Sequence, residues 1–246
     1  MSAPLVTVAM LTRNRRGYLA EVLETIWAQD HQDFEVLILD NGSEDETPAY
    51  LASIADPRLR VIRSEVNLGI PVGYSMLVEH ARGEYLVRPG DDDLCVPDML
   101  SRCLRVFARH PDTDAVVGDA REIDEHGTRK GIWPVMQHNR ASFARFEIRE
   151  RNDVVDPCAM VRTAVHREVG SYDGRYPIAM DYDTWLRMAG RYRFRRCPGG
   201  PLLLLRRHSG NFSHASKTAA LREEEDGMVG EAVDRLGLRA VVPEAG

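Results

Sequence analysis

Three consecutive aspartates, Asp91, Asp92 and Asp93, follow a Pro89-Gly90 turn signal at the end of a short apolar run. Neighbouring carboxylates repel one another and need solvent or a cation beside them. Oxygen donors of this kind suit Mg2+, Mn2+ or Ca2+. In extended chain, adjacent side chains point to opposite sides, so the three do not all reach one ion. An exposed turn that caps the next helix uses the same residues. A second group is Asp40-Asn41-Gly42-Ser43. Asn-Gly suits a tight turn and Ser43 a helix cap, but neither explains a carboxylate closing an apolar run. There Asp40 can accept a hydrogen bond from a nucleobase N–H. The third group is Asp181-Tyr182-Asp183, opening an amphipathic stretch. Acids suit the first turn of a helix, and a lone carboxylate facing a cleft can act as a general base. Residues two apart do not share a helix face, so at most one of the two aims at a given site. The fourth group is Arg206-Arg207-His208, just past Leu202–Leu205. It suits contact with a diphosphate or a metal, or a structural histidine.

The elements that must position these groups follow from hydrophobic period. Leu5–Leu11, Phe34–Asp40, Leu59–Arg63 and Glu84–Val87 read as strands. Gly17–Gln29 and Pro71 to about Arg82 read as helices. Ser43 with Glu46 has the spacing of a capping box for a helix ending near Ile54. Pro97 sits where a helix running to about His110 should begin. Ala115–Ile123 reads as one strand, with a turn at His126-Gly127. Strand–helix alternation with short connections implies an α/β, Rossmann-like, doubly wound and mostly parallel sheet. Ligands of such sheets bind beyond the carboxyl ends of the strands, where the first two aspartate groups fall. From Gly131 to Asn152 the pattern weakens into an arginine-bearing loop, read as a lid or recognition segment. Thr163–Val169 and Asp181–Ala189 read as helices, and Tyr192–Arg195 and Leu202–Arg206 as strands. From about Ala215 the chain reads as an acidic helical tail in which Leu221–Leu236 suits packing or a homodimer contact.

Composition narrows the function classes. Of 246 residues, 43% are hydrophobic and 28% charged, the balance of a soluble globular chain. A net charge of −6 argues against a general nucleic-acid binder. The longest run of one apolar residue type, Leu202–Leu205, is far short of the roughly 20 residues of a membrane span. No secretory leader is read at the N-terminus, and Cys95, Cys103, Cys158 and Cys197 form no C-x-x-C, so reduced thiols and a cytoplasmic location are expected. Apart from Lys130 and Lys217, every basic residue other than histidine is arginine. Arg191, Arg193, Arg195 and Arg196 suit either a solvated face or peripheral contact with an anionic membrane. Phosphate-loop, G-x-G-x-x-G, G-x-S-x-G and H-E-x-x-H motifs are absent, which argues against P-loop enzymes, dinucleotide enzymes, α/β-hydrolases and zincins.

With these residues in view, the chain resembles a family 2 glycosyltransferase of GT-A fold. The resemblance runs from about Val6 to Ser213 through VTVAMLTRNR, FEVLILDNGS, Asn67-Leu68-Gly69, GEYLVRPGDDD, VGSYDGRYPIAMDYDTWL and LLRRHSGNFS. It implies metal-dependent, inverting transfer of a sugar from a UDP- or dTDP-sugar to a hydroxyl or amine. The acceptor would be a glycan, a lipid-linked glycan or a secondary metabolite. By the same resemblance, residues 1–125 would bind the donor, 126–214 would hold the acceptor and the base, and 215–246 would form the tail. Thr12, Arg13, Asp40, Asn67, Arg88 and Asp91 would bind the nucleotide-sugar. Asp92 and His208 would hold Mn2+ or Mg2+, and Asp181 would be the base. The chain departs from the family pattern at Arg13, Tyr74, Gly90 and Met180. The alternatives are a non-catalytic binding protein of the same fold and a sugar-1-phosphate nucleotidyltransferase. The latter usually carries a Gly-rich, Lys-containing loop after its first strand, which LTRNRRG lacks.

Overall fold

The computed structural model describes residues 3–133, 154–170, 172, 174–176, 178–188, 191–211, 227 and 231. β1 (Val6–Thr12) and β2 (Phe34–Asn41) are almost wholly buried apolar strands, as central parallel strands covered on both faces must be. Their side chains alternate between two cores. Val6, Val8, Met10, Val36 and Ile38 meet α1 (Arg16–Trp27) and α4 (Met99–Arg109). Ala9, Leu37 and Leu39 meet α3 (Ile70–His80) on the opposite face. The expected helix from Ser43 is α2 (Thr47–Ser53).

The other strands of the large sheet are β3 (Leu59–Ser64), β4 (Tyr85–Val87), β6 (Ala115–Val117), β9 (Met160–Arg162) and β10 (Phe194–Arg196). Its order is β10-β6-β9-β4-β1-β2-β3. All pairs are parallel except those of β9, which runs antiparallel to both β4 and β6. A smaller sheet has the order β5-β11-β7-β8, from β5 (Leu94–Cys95), β11 (Leu203–Arg207), β7 (Ala120–Asp124) and β8 (Arg129–Trp133). α5 (Thr163–Val169) and α6 (Met180–Met188) complete the described helices of more than one residue.

Several expectations need correction. The single strand predicted over Ala115–Ile123 is two strands in different sheets. The chain breaks at Gly118, where a Cβ would lie 2.2 Å from the Leu202 side chain. Cys197 N–H then bonds the Val117 carbonyl while Leu202 N–H bonds that of Asp119. The capping box is also absent: Glu46 makes no cap bond, and Ser43 is occupied elsewhere. Helix α4 starts at Met99 rather than Pro97. The loop expected from Gly131 begins as the end of β8. Its remainder to Asn152, and the Leu221–Leu236 tail apart from residues 227 and 231, lie outside the described residues.

Candidate active site

β1 and β2 pair in register, so Thr12 and Asp40 end side by side, both buried. Beyond them Asn14 takes a left-handed conformation with φ 55°. Its N–H donates to Ser43 Oγ at 2.9 Å, and its Oδ1 accepts from Glu44 N–H at 2.8 Å. These bonds fix the two strand ends against each other. Asp40 Oδ1 accepts from Ser43 N–H at 3.0 Å, while its buried Oδ2 has no hydrogen-bond partner among the described residues. An unmet buried acceptor costs about 1–3 kcal/mol, so this oxygen suits a ligand N–H. Gly42 has φ 75°, and a Cβ there would lie 2.7 Å from the Val66 carbonyl carbon. Asn41 Nδ2 donates to Asn67 Oδ1 at 3.1 Å, and Asn67 Oδ1 also accepts from Gly69 N–H. Asn67 thus latches the loop that floors the site. Arg13 is exposed at the mouth, with Nε 3.4 Å from the Gly42 carbonyl oxygen.

The three adjacent aspartates diverge. Asp91 faces Arg15 Nε at 3.9 Å. Burial and the charge of Asp92 push its carboxyl up to about 7, against the Thr12 hydroxyl and Arg15. Asp92 Oδ2 lies 2.8 Å from His208 Nε2 and 3.0 Å from Asn211 Nδ2. Gly210 N–H donates to His208 Nδ1, which leaves the ring proton on Nε2, facing Asp92. The His208 ring stacks on Tyr18 with centroids 4.9 Å apart. Asp93 turns inward, where its Oδ1 accepts from Arg206 N–H at 2.9 Å. Burial and Asp92 push it up to about 8. Arg206, itself buried, donates to the Asp92 carbonyl, the Glu125 carbonyl and Glu21 Oε2. At Gly90 a Cβ would lie 2.6 Å from Asp93 Oδ2, so a larger residue there would require the Asp93 carboxylate to shift.

The other side of the site is built on α6. Asp181, in its first turn, has Oδ1 2.8 Å from the Tyr182 N–H. Burial, then the charge of Asp156, push it up to about 7, against Tyr182 N–H and Arg88. Asp183 is committed to the fold: its Oδ2 takes Arg187 Nε at 2.8 Å, and Arg187 Nη1 ties down the Val169 and Gly170 carbonyls. Arg88, 4% exposed, is clamped between the rings of Tyr74 and Tyr172, 4.3 Å from each centroid. Its Nη2 pairs with Asp156, and its buried Nη1 has no partner among the described residues. The Tyr74 phenol, pushed up by burial, feels Arg88 and Asp156 on one hand and Asp91 and Asp92 on the other.

Sequence reasoning missed Arg15, Tyr18, Asp156, Tyr172 and Asn211. Asn211 lies within the H-S-G-N segment beside His208 and could have been found there. Asp156, alone in an apolar V-V-D-P-C run, carried no signal. Among the described residues no three His, Cys, Asp or Glu side chains are grouped to hold a metal ion. Asp92 offers carboxylate oxygens with Asp91 adjacent, and His208 Nε2 becomes a nitrogen donor only when Nδ1 gives up its bond from Gly210 N–H and takes the ring proton. That sparse set fits a cation such as Mg2+, which keeps waters and takes substrate phosphates as its other ligands. The crowded, partly neutralised carboxylates favour a cation in the same place. The arginines considered for membrane contact pair within the fold: Arg191 with Glu168, Arg193 and Arg195 with Asp112, and Arg196 with Asp119. No helix among the described residues is long and apolar enough to cross a membrane. Cys95, Cys103, Cys158 and Cys197 are buried and unbridged.

Comparison with known proteins agrees with this geometry. The family description "Glycosyl transferase family 2" matches residues 7–170. An uncharacterized glycosyltransferase of Methanocaldococcus jannaschii is 28% identical over 199 residues, 79% of this chain and 68% of its own length. Other curated relatives are longer: the chain spans 62% of one from Mycobacterium bovis and 21% of one from Sinorhizobium fredii. Among solved structures, S. aureus TarS in complex with UDP-GlcNAc superposes with a TM-score of 0.69 at 16% identity, over 94% of this chain and 72% of that one. The mannosyltransferase PcManGT of Pyrobaculum calidifontis, in complex with GDP-Man and Mn2+, gives 0.62 at 16% identity, over 99% and 78%. The likeness to both is one of fold. The expected α/β, GT-A type architecture is therefore present, and this chain belongs to glycosyl transferase family 2.

Proposed function

We propose that the chain transfers a sugar from a nucleoside-diphosphate sugar, UDP- or dTDP-linked, to a hydroxyl or amine of a glycan, lipid-linked or small-molecule acceptor, with inversion. Residues 1–125 bind the donor, and residues 126–214 hold the acceptor and the base. The observation that carries this reading is the buried, unpartnered Asp40 Oδ2 beside Thr12, on the strand edge where Asp91 and Asp92 gather. Asp40 accepts the base N–H, Arg13 covers its face, and Asn67 holds the loop beneath. Asp91 binds the ribose. Arg88 Nη1, buried without a partner, donates to the substrate. Asp92 and His208 would hold Mn2+ or Mg2+ against the diphosphate, and the cation's charge would offset that growing on the leaving group.

Asp181 takes the proton of the acceptor hydroxyl as its oxygen attacks the anomeric carbon and the bond to the diphosphate breaks. A base near pH 7 needs a carboxylate raised above its ordinary value yet still ionised, and Asp181, pushed up to about 7, meets that need. Asp183, ion-paired with Arg187, is left to hold the helix. Calorimetric titration of UDP, dTDP and GDP, each with Mn2+ or EDTA, on wild type and Asp92→Ala tests the donor half. One nucleotide should bind only with metal, and the variant should lose it. Failure of every nucleotide to bind under every condition would overturn the reading.

A further inference from the structure

Arg15, Tyr18 and Glu21 recur every three residues at the start of α1. The Arg15 carbonyl takes the Leu19 N–H at 3.0 Å, so Arg15 is already in phase with the helix and the three side chains share one face. None of the three is buried in the core. Each instead meets the chain that leaves β11. Arg15 Nη2 donates to the Gly210 carbonyl at 2.6 Å. The Tyr18 ring stacks on His208, and the Arg206 guanidinium lies 5.2 Å from the Tyr18 centroid. Glu21 Oε2 accepts from Arg206 Nη2 at 2.7 Å. The fit is close: a Cβ at Gly210 would lie 3.2 Å from both Arg15 Nη1 and His208 Nδ1.

The segment held in this way, Arg206–Asn211, is the one that reaches Asp92. His208 Nε2 lies 2.8 Å, and Asn211 Nδ2 3.0 Å, from the same Asp92 Oδ2. The His208 N–H donates to Asn211 Oδ1 at 2.6 Å, so the two side chains arrive as one unit. We propose that Arg15 and Tyr18 are positioning residues: through them α1 docks Arg206–Asn211 and so fixes His208 and Asn211 against Asp92. Tyr18 acts through its ring on His208, and Arg15 through the Gly210 carbonyl. The inference rests on the reading of Asp92 and His208 as the cation site and deepens it. Groups packed behind a metal ligand orient it and set its affinity. A docked segment also spares the cost of ordering it when the cation and diphosphate arrive.

Hydrogen exchange followed on residues 206–211, beside calorimetric titration of Mn2+ alone, tests this. Tyr18→Leu keeps apolar bulk but loses the ring stack. Amide exchange in the segment should quicken about three- to tenfold, the worth of one aromatic pair, and Mn2+ affinity should fall by a similar factor. Amides of β1 and β2 should exchange as in wild type. Tyr18→Phe should restore both readings, since the stack needs the ring and not the hydroxyl. Arg15→Met should quicken the same exchange. Unmoved exchange at 206–211 in either variant, equal loosening of β1 and β2, unchanged or tighter Mn2+ binding in Tyr18→Leu, or no recovery in Tyr18→Phe overturns the proposal. Should Tyr18→Leu not fold, the wild type decides. Its Gly210 and Asn211 amides should exchange far more slowly than an unstructured chain, and free-chain rates refute the docking. Asp92→Ala separates the two layers. Mn2+ bound there as tightly as by wild type defeats the cation reading itself, whereas Mn2+ binding lost there beside unmoved exchange in Tyr18→Leu defeats only the docking.

Discussion

The two sides of the site solve the same electrostatic problem in opposite ways. On the donor side, Asp91, Asp92 and Asp93 stand together with Arg206 beneath them, and the carboxylates outnumber the cations in reach. On the other side, Asp156 is paired with a buried Arg88 that is clamped between the Tyr74 and Tyr172 rings. The first arrangement leaves crowded carboxylates at the strand edge, and the second holds its guanidinium within the fold. One residue type thus meets three surroundings: Asp91 and Asp92 crowded together, Asp93 turned inward to Arg206 N–H, and Asp156 paired with Arg88.

The comparison can be broken experimentally. The largest effect is expected from Asp181→Asn. Removing a general base should cost turnover about 10²–10⁴-fold and leave nucleotide binding intact, as kinetics and calorimetry on one preparation would reveal. Equal losses in both would erase the distinction between the halves. Next comes Asp92→Ala, which should weaken metal-dependent nucleotide binding at least about tenfold, in line with even outer-shell losses at metal sites. Chelation of wild type should mimic it, and an EDTA-insensitive affinity would show that the donor side needs no cation.

A third test uses pH. If Asp181 carries a pKa of about 7 and must be ionised to act, the acceptor kcat/KM should fall about tenfold per pH unit below that value. A rate flat down to pH 5 would mean that the acceptor-side carboxylate is not perturbed. Gly42→Ala sharpens the donor side alone. Its positive φ and the 2.7 Å approach to Val66 should cost about 1–3 kcal/mol of stability, read as a lower melting temperature, while the acid limb stays put. The smallest effect is expected from Arg193→Ala, whose partner Asp112 is half-exposed. Loss of that surface pair should leave the melting temperature essentially unchanged.

Much of the donor side was legible in the sequence. β1 and β2 are continuous apolar runs, their period fixes which residues face which core, and their ends fall where Thr12 and Asp40 must emerge. Register in a buried parallel pair is set by that pattern, so local reading carries far. The family resemblance, through LLRRHSGNFS, likewise grouped His208 with Asp92. Local patterning could not reveal the break at Gly118, because it depends on Leu202 arriving from a distant strand. Nor could it tell Asp93 from Asp91 and Asp92, since Arg206 N–H, more than a hundred residues away, decides which carboxylate turns inward. The same holds for Asp156. Its pairing with Arg88 and its pressure on Asp181 arise only when three separate segments are buried together. Periodicity is a property of neighbours in the chain and can be read there. Desolvation and charge coupling are properties of neighbours in space, and only the tertiary structure supplies them.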